Sequence, residues 1–247
     1  MVPRLYVPSL DAGARTVELP EEEAAHLRRV LRVKAGAAVR LFDGRGREVA
    51  AQVTSIGRSA AVAEVGAPVV AAPEWRVHVT LAQAVLKGDK TDDVIRDAVM
   101  MGVAAVQPML TARTDVPAAA FSRGRRLERW QRIAVSSAKQ CGRAVVPPVL
   151  APRALKECLD APRADLTLIL VEPAAAPPAA VAGAWPRAGA PASAVVLVGP
   201  EGGWADEEVA LALSAGCLPV SLGPRTLRAD AAAIVALSVL QYIWGAH

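Results

Sequence analysis

The chain has 247 residues, enough for one large domain or two small ones, and is 53% hydrophobic, which excludes wholesale disorder. Its net charge of +4 permits a nucleic-acid partner without demanding one, so the distribution of charge decides. Cys141, Cys158 and Cys217 lie far apart with no CxxC or Cys/His cluster, so neither a disulfide framework nor a zinc site is expected.

The N-terminal MVPRLYVPSLDAGAR lacks the continuous apolar core of a signal peptide. No uncharged apolar run has the ~18 residues of a membrane span, so a cytoplasmic protein with no membrane partner is expected. Residues 1–70 predict short strands around one helix. In that helix Glu21, Glu22 and Glu23 precede Leu27, Val30 and Leu31, with Arg28, Arg29 and Arg32 at the far end, as the helix dipole favours. AAVRLFDGRGREVAAQVTSI predicts two strands joined at Asp43-Gly44-Arg45-Gly46, and GRSAAVAEVG predicts another. The whole suggests a small β-barrel, followed by a linker at GAPVVAAPEW.

From residue 75 the rhythm changes. WRVHVTLAQAV predicts a strand, Asp89 to Met101 a helix ended by Gly102, VAAVQPML a strand, and residues 125–141 an arginine-rich helix. LTLILVEP, AVVLVGPEGG and CLPVSLGPRTLR each predict a strand running into a Pro- or Gly-containing loop. Residues 173–194 are low in complexity and predict a loop, and the apolar 229–244 predicts a buried helix, partly covered by a second subunit. Strands alternating with helices imply a mostly parallel α/β sheet.

Ligands of such sheets bind beyond the carboxyl ends of the strands, where Gly199-Pro200-Glu201-Gly202-Gly203 and Leu222-Gly223-Pro224-Arg225 fall. Either loop alone reads equally as an ordinary turn needing glycine. Phosphate suits them poorly: no Lys-Ser/Thr follows, G-x-G-x-x-G is absent, and Glu201 carries the wrong charge. A ligand with hydroxyls and a positive centre fits better; S-adenosylmethionine is one, and a sugar or an amine also qualifies.

Basic residues cluster twice. Arg28, Arg29, Arg32, Lys34 and Arg40 occupy residues 24–42 without an acid, beside His26. Arg123, Arg125, Arg126, Arg129 and Arg132 stand against the single Glu128, with Trp130 among them and Arg143 beyond. Each cluster alone reads as a solvated face. Two clusters dominated by arginine, whose planar fork matches phosphate, favour a shared polyanion. With 4% aromatic residues, backbone and shape contacts should outweigh base stacking.

The chain resembles, nearly end to end, the RsmE family of 16S rRNA uridine N3-methyltransferases, of the SPOUT class. The resemblance is carried by His26-Leu27-Arg28-Arg29-Val30-Leu31-Arg32 with Phe42-Asp43-Gly44-Arg45-Gly46, by Gly102-Val103 through Pro108 and Arg113, by Gln140-Cys141-Gly142-Arg143 with Pro147, by Gly199-Pro200-Glu201-Gly202-Gly203, and by Leu222-Gly223-Pro224-Arg225-Thr226-Leu227-Arg228. The family's T-E-T-A reads Ala229-Asp230-Ala231-Ala232 here, its Glu-Leu before Gly102 reads Met100-Met101, and Ala205 replaces a helix-capping serine, leaving Asp206 to cap.

The resemblance implies an α/β protein with a PUA-like RNA-binding barrel at 1–71 and a SPOUT trefoil-knot domain with a parallel sheet at 72–247. It implies S-adenosyl-L-methionine as cofactor, 16S rRNA or the small ribosomal subunit as partner, and a homodimer through the C-terminal domain. The cofactor set it implies is Val171, Glu172, Val198, Gly199, Pro200, Glu201, Gly202, Gly203, Leu222, Gly223, Thr226 and Leu227. Arg228, then Arg225, are candidates to stabilise charge on the target base, against a phosphate contact or a dimer salt bridge. Asp230 is a candidate base or orienter of Arg228. Arg28, Arg29, Arg32, Lys34, Arg113, Arg123, Arg125, Arg126 and Arg143 are the RNA-binding candidates. The competing reading is a non-catalytic RNA-binding protein with a degenerate donor site.

Overall fold

The computed structural model describes residues 2–57, 60–117, 121, 124–162, 164–173 and 189–244. Most of the low-complexity segment, and Arg123, lie outside these residues. The chain divides into two compact units: Met1–Glu74 with Val135–Val146, and Trp75–Ala134 with Pro147–His247.

In the first unit, β1 (Arg4–Tyr6), β2 (Thr16–Glu18), β3 (Ala38–Phe42), β4 (Glu48–Ile56) and β5 (Ala61–Pro68) form one sheet in the order β1-β3-β4-β5-β2. β1 runs parallel to β3, and the other pairs are antiparallel. β4 shows the period-two alternation of a half-buried strand: Val49, Ala51 and Val53 point into the core with Leu5, Leu27 and Leu41, while Gln52 and Thr54 face out. The β3–β4 turn forms because Asp43 Oδ1 accepts the backbone N–H groups of Arg45 at 2.7 Å and Arg47 at 3.1 Å. The expected linker begins too early at Gly66: strand pairing carries β5 through Pro68.

The predicted helix starts as α1 (Glu21–His26) but continues as a π-helical turn over Leu27–Leu31. Leu27 stays buried, whereas Val30 is 65% and Leu31 37% exposed. Full burial of such a side chain is worth about 1.5–3 kcal/mol, which their exposure largely forgoes.

Charged groups hold Val135–Val146 in this unit. Arg4 donates to buried Glu48 at 3.0 and 2.7 Å, and to the carbonyls of Ala138, Lys139 and Arg143 at 2.7–2.9 Å. Lys139 Nζ donates to both oxygens of Glu23 at 2.8 Å. Arg143, expected to bind RNA, is instead buried, its Nε 3.1 Å from each oxygen of Glu74. A guanidinium committed in this way has no face for phosphate.

The second unit is a six-stranded sheet, all parallel, in the order β11-β9-β10-β6-β7-β8. Its strands are β6 (His78–Ala84), β7 (Ala105–Leu110), β8 (Arg153–Ala154), β9 (Leu166–Leu170), β10 (Ser193–Val198) and β11 (Leu218–Val220). The central strands are mostly apolar, as expected where helices cover both faces of a parallel sheet. Leu81, Leu168, Ile169 and Val196 are fully buried. The helices are α2 (Lys90–Met100), α3 (Arg125–Cys141, of which the residues from Val135 on belong to the first unit), α4 (Leu155–Leu159), α5 (Asp206–Ser214) and α6 (Ala229–Trp244), and α2 packs on α6. β8 and α4, two and five residues long, were too short to be legible as periodic patterns. Trp130, inside the second basic cluster, is a core residue whose Nε1 donates to Asp92 at 2.9 Å. No helix among the described residues is long and apolar enough to cross a membrane.

Candidate functional site

The carboxyl ends of three adjacent strands, β9, β10 and β11, open into one cleft of about 270 Å³. Val171 and Glu172 line it after β9. Val198, Gly199, Pro200, Glu201 and Gly203 line it at the end of β10, and Leu222, Thr226 and Leu227 after β11. Parallel strands ending side by side bring these distant segments together.

The glycines differ in role. Gly203 has φ +69°, and a Cβ there would stand 2.9 Å from Glu172 Oε1. Gly199 lies under Trp204, where a Cβ would meet the indole at 3.1 Å. Gly202 and Gly223 do not line the cleft. Gly202 faces Arg113 instead, whose Nη1 donates to the Gly202 carbonyl at 3.0 Å. Arg113, an RNA-binding candidate, thus braces the loop from behind.

Trp204 lines the cleft and was missed by sequence reasoning. Its Nε1 donates to the Leu170 carbonyl at 2.7 Å, tying the β10 loop to the end of β9. A large aromatic directly after a glycine pair was the available signal. Gln83, at the end of β6, donates from Nε2 to the Gly199 carbonyl at 3.3 Å and steadies the loop from the other side.

The charge of Glu201, a residue of the expected cofactor set, is not free to face a ligand. It is spent on the protein: Glu201 Oε1 accepts from Lys90 Nζ at 2.8 Å and from the Lys87 N–H at 3.2 Å. Partial burial pushes the carboxyl up, but the Lys90 ammonium and the amide donors outweigh it and hold it below the usual carboxylate range. Glu172 is therefore the cleft carboxylate better placed to meet a cation.

Ala205 is the N-cap position of α5, and Asp206, the first helical residue, does not cap it. Glu208 does so by reaching back: Oε2 accepts the Ala205 N–H at 3.0 Å, and Oε1 accepts the Ala112 N–H at 2.8 Å. Glu208→Ala should cost about 1 kcal/mol of stability, read by chemical denaturation.

Arg225 and Arg228 both line the cleft, and the Arg228 side chain is 73% exposed. Asp230 Oδ1 lies 3.4 Å from Arg228 Nε but does not line the cleft, which suits an orienter of Arg228 better than a base. Of the RNA-binding candidates, Arg29, Arg32 and Lys34 are exposed, and Arg28 donates to the Gly57 carbonyl at 3.1 Å. Arg125 is exposed, and Arg126 lies over the Phe121 ring at 5.4 Å.

The profile of the RNA methyltransferase domain family matches residues 73–241, and that of the RNA methyltransferase PUA domain matches residues 19–66. A ribosomal RNA small subunit methyltransferase E from Synechocystis is 36% identical over 241 residues, covering 96% of this chain and 77% of that protein. Among solved structures, a methyltransferase E from Neisseria gonorrhoeae bound to S-adenosyl methionine is 34% identical with TM-score 0.87, covering 99% of this chain and 98% of that one. A putative methyltransferase from Legionella pneumophila in complex with SAM is 31% identical with TM-score 0.89, covering 98% of each chain. On these matches and on its architecture, the chain belongs to the RNA methyltransferase family, among the ribosomal RNA small subunit methyltransferase E proteins.

Proposed function

We propose that this protein transfers a methyl group from S-adenosylmethionine to N3 of one uridine in 16S rRNA, acting in the cytoplasm as a homodimer. The observation that carries this is the single cleft built from three strand ends, in a chain similar end to end to methyltransferases solved with that cofactor. The cleft suits the cofactor chemically. Val198 and Leu222 offer apolar walls to a flat base, the loop backbone offers donors and acceptors to its polar edge and ribose, and Glu172 offers a carboxylate to the cationic sulfur.

When bound, the cofactor supplies an electrophilic methyl carbon. The protein must then hold uridine N3 in line with it and help the N3 proton leave. N3 lies on the Watson–Crick edge, so the base has to be unpaired. Loss of the proton spreads negative charge onto the uracil carbonyl oxygens. Arg228, on the rim and oriented by Asp230, is positioned to stabilise that charge, with Arg225 beside it. The test is calorimetry with S-adenosylmethionine, together with mass analysis of nucleosides from 16S rRNA with and without the protein. A chain that binds rRNA but not the cofactor would be the non-catalytic alternative.

The dimer reading is supported by α6. No charged side chain occurs from Ala231 to Trp244, and Val235 and Tyr242 are 39% and 83% exposed. A second copy would cover this face, and the implied trefoil knot would set the loops beside it. Val235→Glu should shift the solution mass from dimer to monomer.

The first unit is proposed to hold rRNA through phosphate contacts from Arg28, Arg29 and Arg32. Each such contact contributes about 0.7 log units of affinity per log unit of salt on single-stranded RNA. Replacing all three with alanine should lower the salt slope by about 2 and leave cofactor affinity unchanged. An unchanged slope would make these arginines a solvated face.

A further inference from the structure

Leu27, Val30 and Leu31 have the spacing of one buried helix face. The structure buries Leu27 and turns the other two outward. The backbone is unusual at the same turn: the Arg32 N–H reaches back to the Leu27 carbonyl, the wide ladder of a π-helix, and Arg32 then takes a left-handed conformation at φ 51°, ψ 37°. Among the described residues, Arg32 alone of the non-glycine residues has positive φ. Two unfavourable choices, exposed aliphatic side chains and a left-handed arginine, coincide on one turn. Such coincidences mark places where the fold yields to a binding task.

The surroundings identify the occupant. Arg28, Arg29, Arg32 and Lys34 flank the pair, and no acid occurs from Ala24 to Phe42. Among the described residues, Arg29, Arg32 and Lys34 have no ion-pair partner. An apolar protein surface would not call for such a ring of cations, whereas a polyanion would. Among its described residues the unit also has no exposed aromatic ring for stacking. Phe42 is fully buried, and Tyr6 packs on it with centroids 5.5 Å apart.

We propose that Val30 and Leu31 form an aliphatic wedge that lodges against an unstacked base step of the substrate rRNA, while the flanking arginines hold the phosphates on either side. The proposal rests on the rRNA-methyltransferase reading and gives it a missing part. Reaching N3 requires a base out of its pair, and an apolar wedge between base steps is a known way to offset the cost of unstacking.

The test is Val30→Ser with Leu31→Ser, which removes the wedge and leaves every charge. Binding is measured to a full-length 16S rRNA transcript and to small ribosomal subunits across a salt series, beside cofactor calorimetry, melting temperature and solution mass. The expected result is about tenfold weaker RNA binding at every salt concentration, with an unchanged salt slope, because an apolar contact releases no counterions. Cofactor affinity, melting temperature and mass should match the parent. RNA affinity within about twofold of the parent would overturn the proposal, as would a reduced slope. A change in mass would assign the patch to a second copy of the chain. If the double variant melts early, the more exposed Val30→Ser alone carries the test, with the same outcomes at smaller size. A parent protein that binds neither RNA would sink the functional reading itself; a parent that binds while the variant binds equally sinks only the wedge.

Discussion

Arg228→Ala should reduce methyl transfer to 16S rRNA by about 100-fold or more while S-adenosylmethionine binds within about twofold of the parent. The expectation follows from position. Arg228 lies on the cleft rim, largely exposed and touched by Asp230, so it is free to meet an incoming base rather than locked in the loop. A cation aimed at developing negative charge lowers the barrier without tightening the ground state. Parallel losses of cofactor affinity and of rate would move Arg228 onto the cofactor. Asp230→Asn should show a smaller loss of rate in the same direction, because it loosens the arginine without removing it.

Gly203→Val should weaken S-adenosylmethionine binding by at least about tenfold. Two costs combine. At φ +69° any side chain is strained, by roughly 1–2 kcal/mol, and a β-branched one is worst placed. Its Cβ would also stand 2.9 Å from Glu172 Oε1, displacing the carboxylate proposed to meet the cofactor's charge. Gly202→Ala is the control on the far side of the loop, where the added methyl meets the Arg113 Cβ at 3.2 Å and not the cleft. Calorimetry on both variants, with melting temperatures to confirm folding, separates the two faces. Undiminished binding in a folded Gly203→Val variant would remove this loop from the cofactor site.

The strands of the second unit were legible because a parallel sheet buried on both faces needs mostly apolar runs, and LTLIL and SAVVLV are such runs. The same runs located the cleft, since each ends in a glycine- or proline-bearing loop. What escaped was how the side chains would be spent. Arg143 looked like one more surface cation, but its partner, Glu74, lies 69 residues away, beyond any local pattern. Glu201 looked free to face a ligand, and Lys90, supplied by a helix 111 residues earlier, takes its charge. The π turn was hidden for a related reason: its residues carry an ordinary amphipathic spacing, which says nothing of the register of the backbone hydrogen bonds or of the exposure of Val30 and Leu31.

The membership of Val135–Val146 in the first unit has a consequence for how the protein is made. A nascent chain that has emerged only as far as Glu74 lacks the carbonyls of Ala138, Lys139 and Arg143 that Arg4 needs, and the Lys139 ammonium that neutralises Glu23. The N-terminal sheet therefore waits, with its buried charges incompletely matched, while about sixty residues of the second unit are synthesised. A gene cut at residue 71 would keep it waiting permanently. The two halves that look like separable modules share one birth order, in which the first to be started cannot be finished until part of the other has been made.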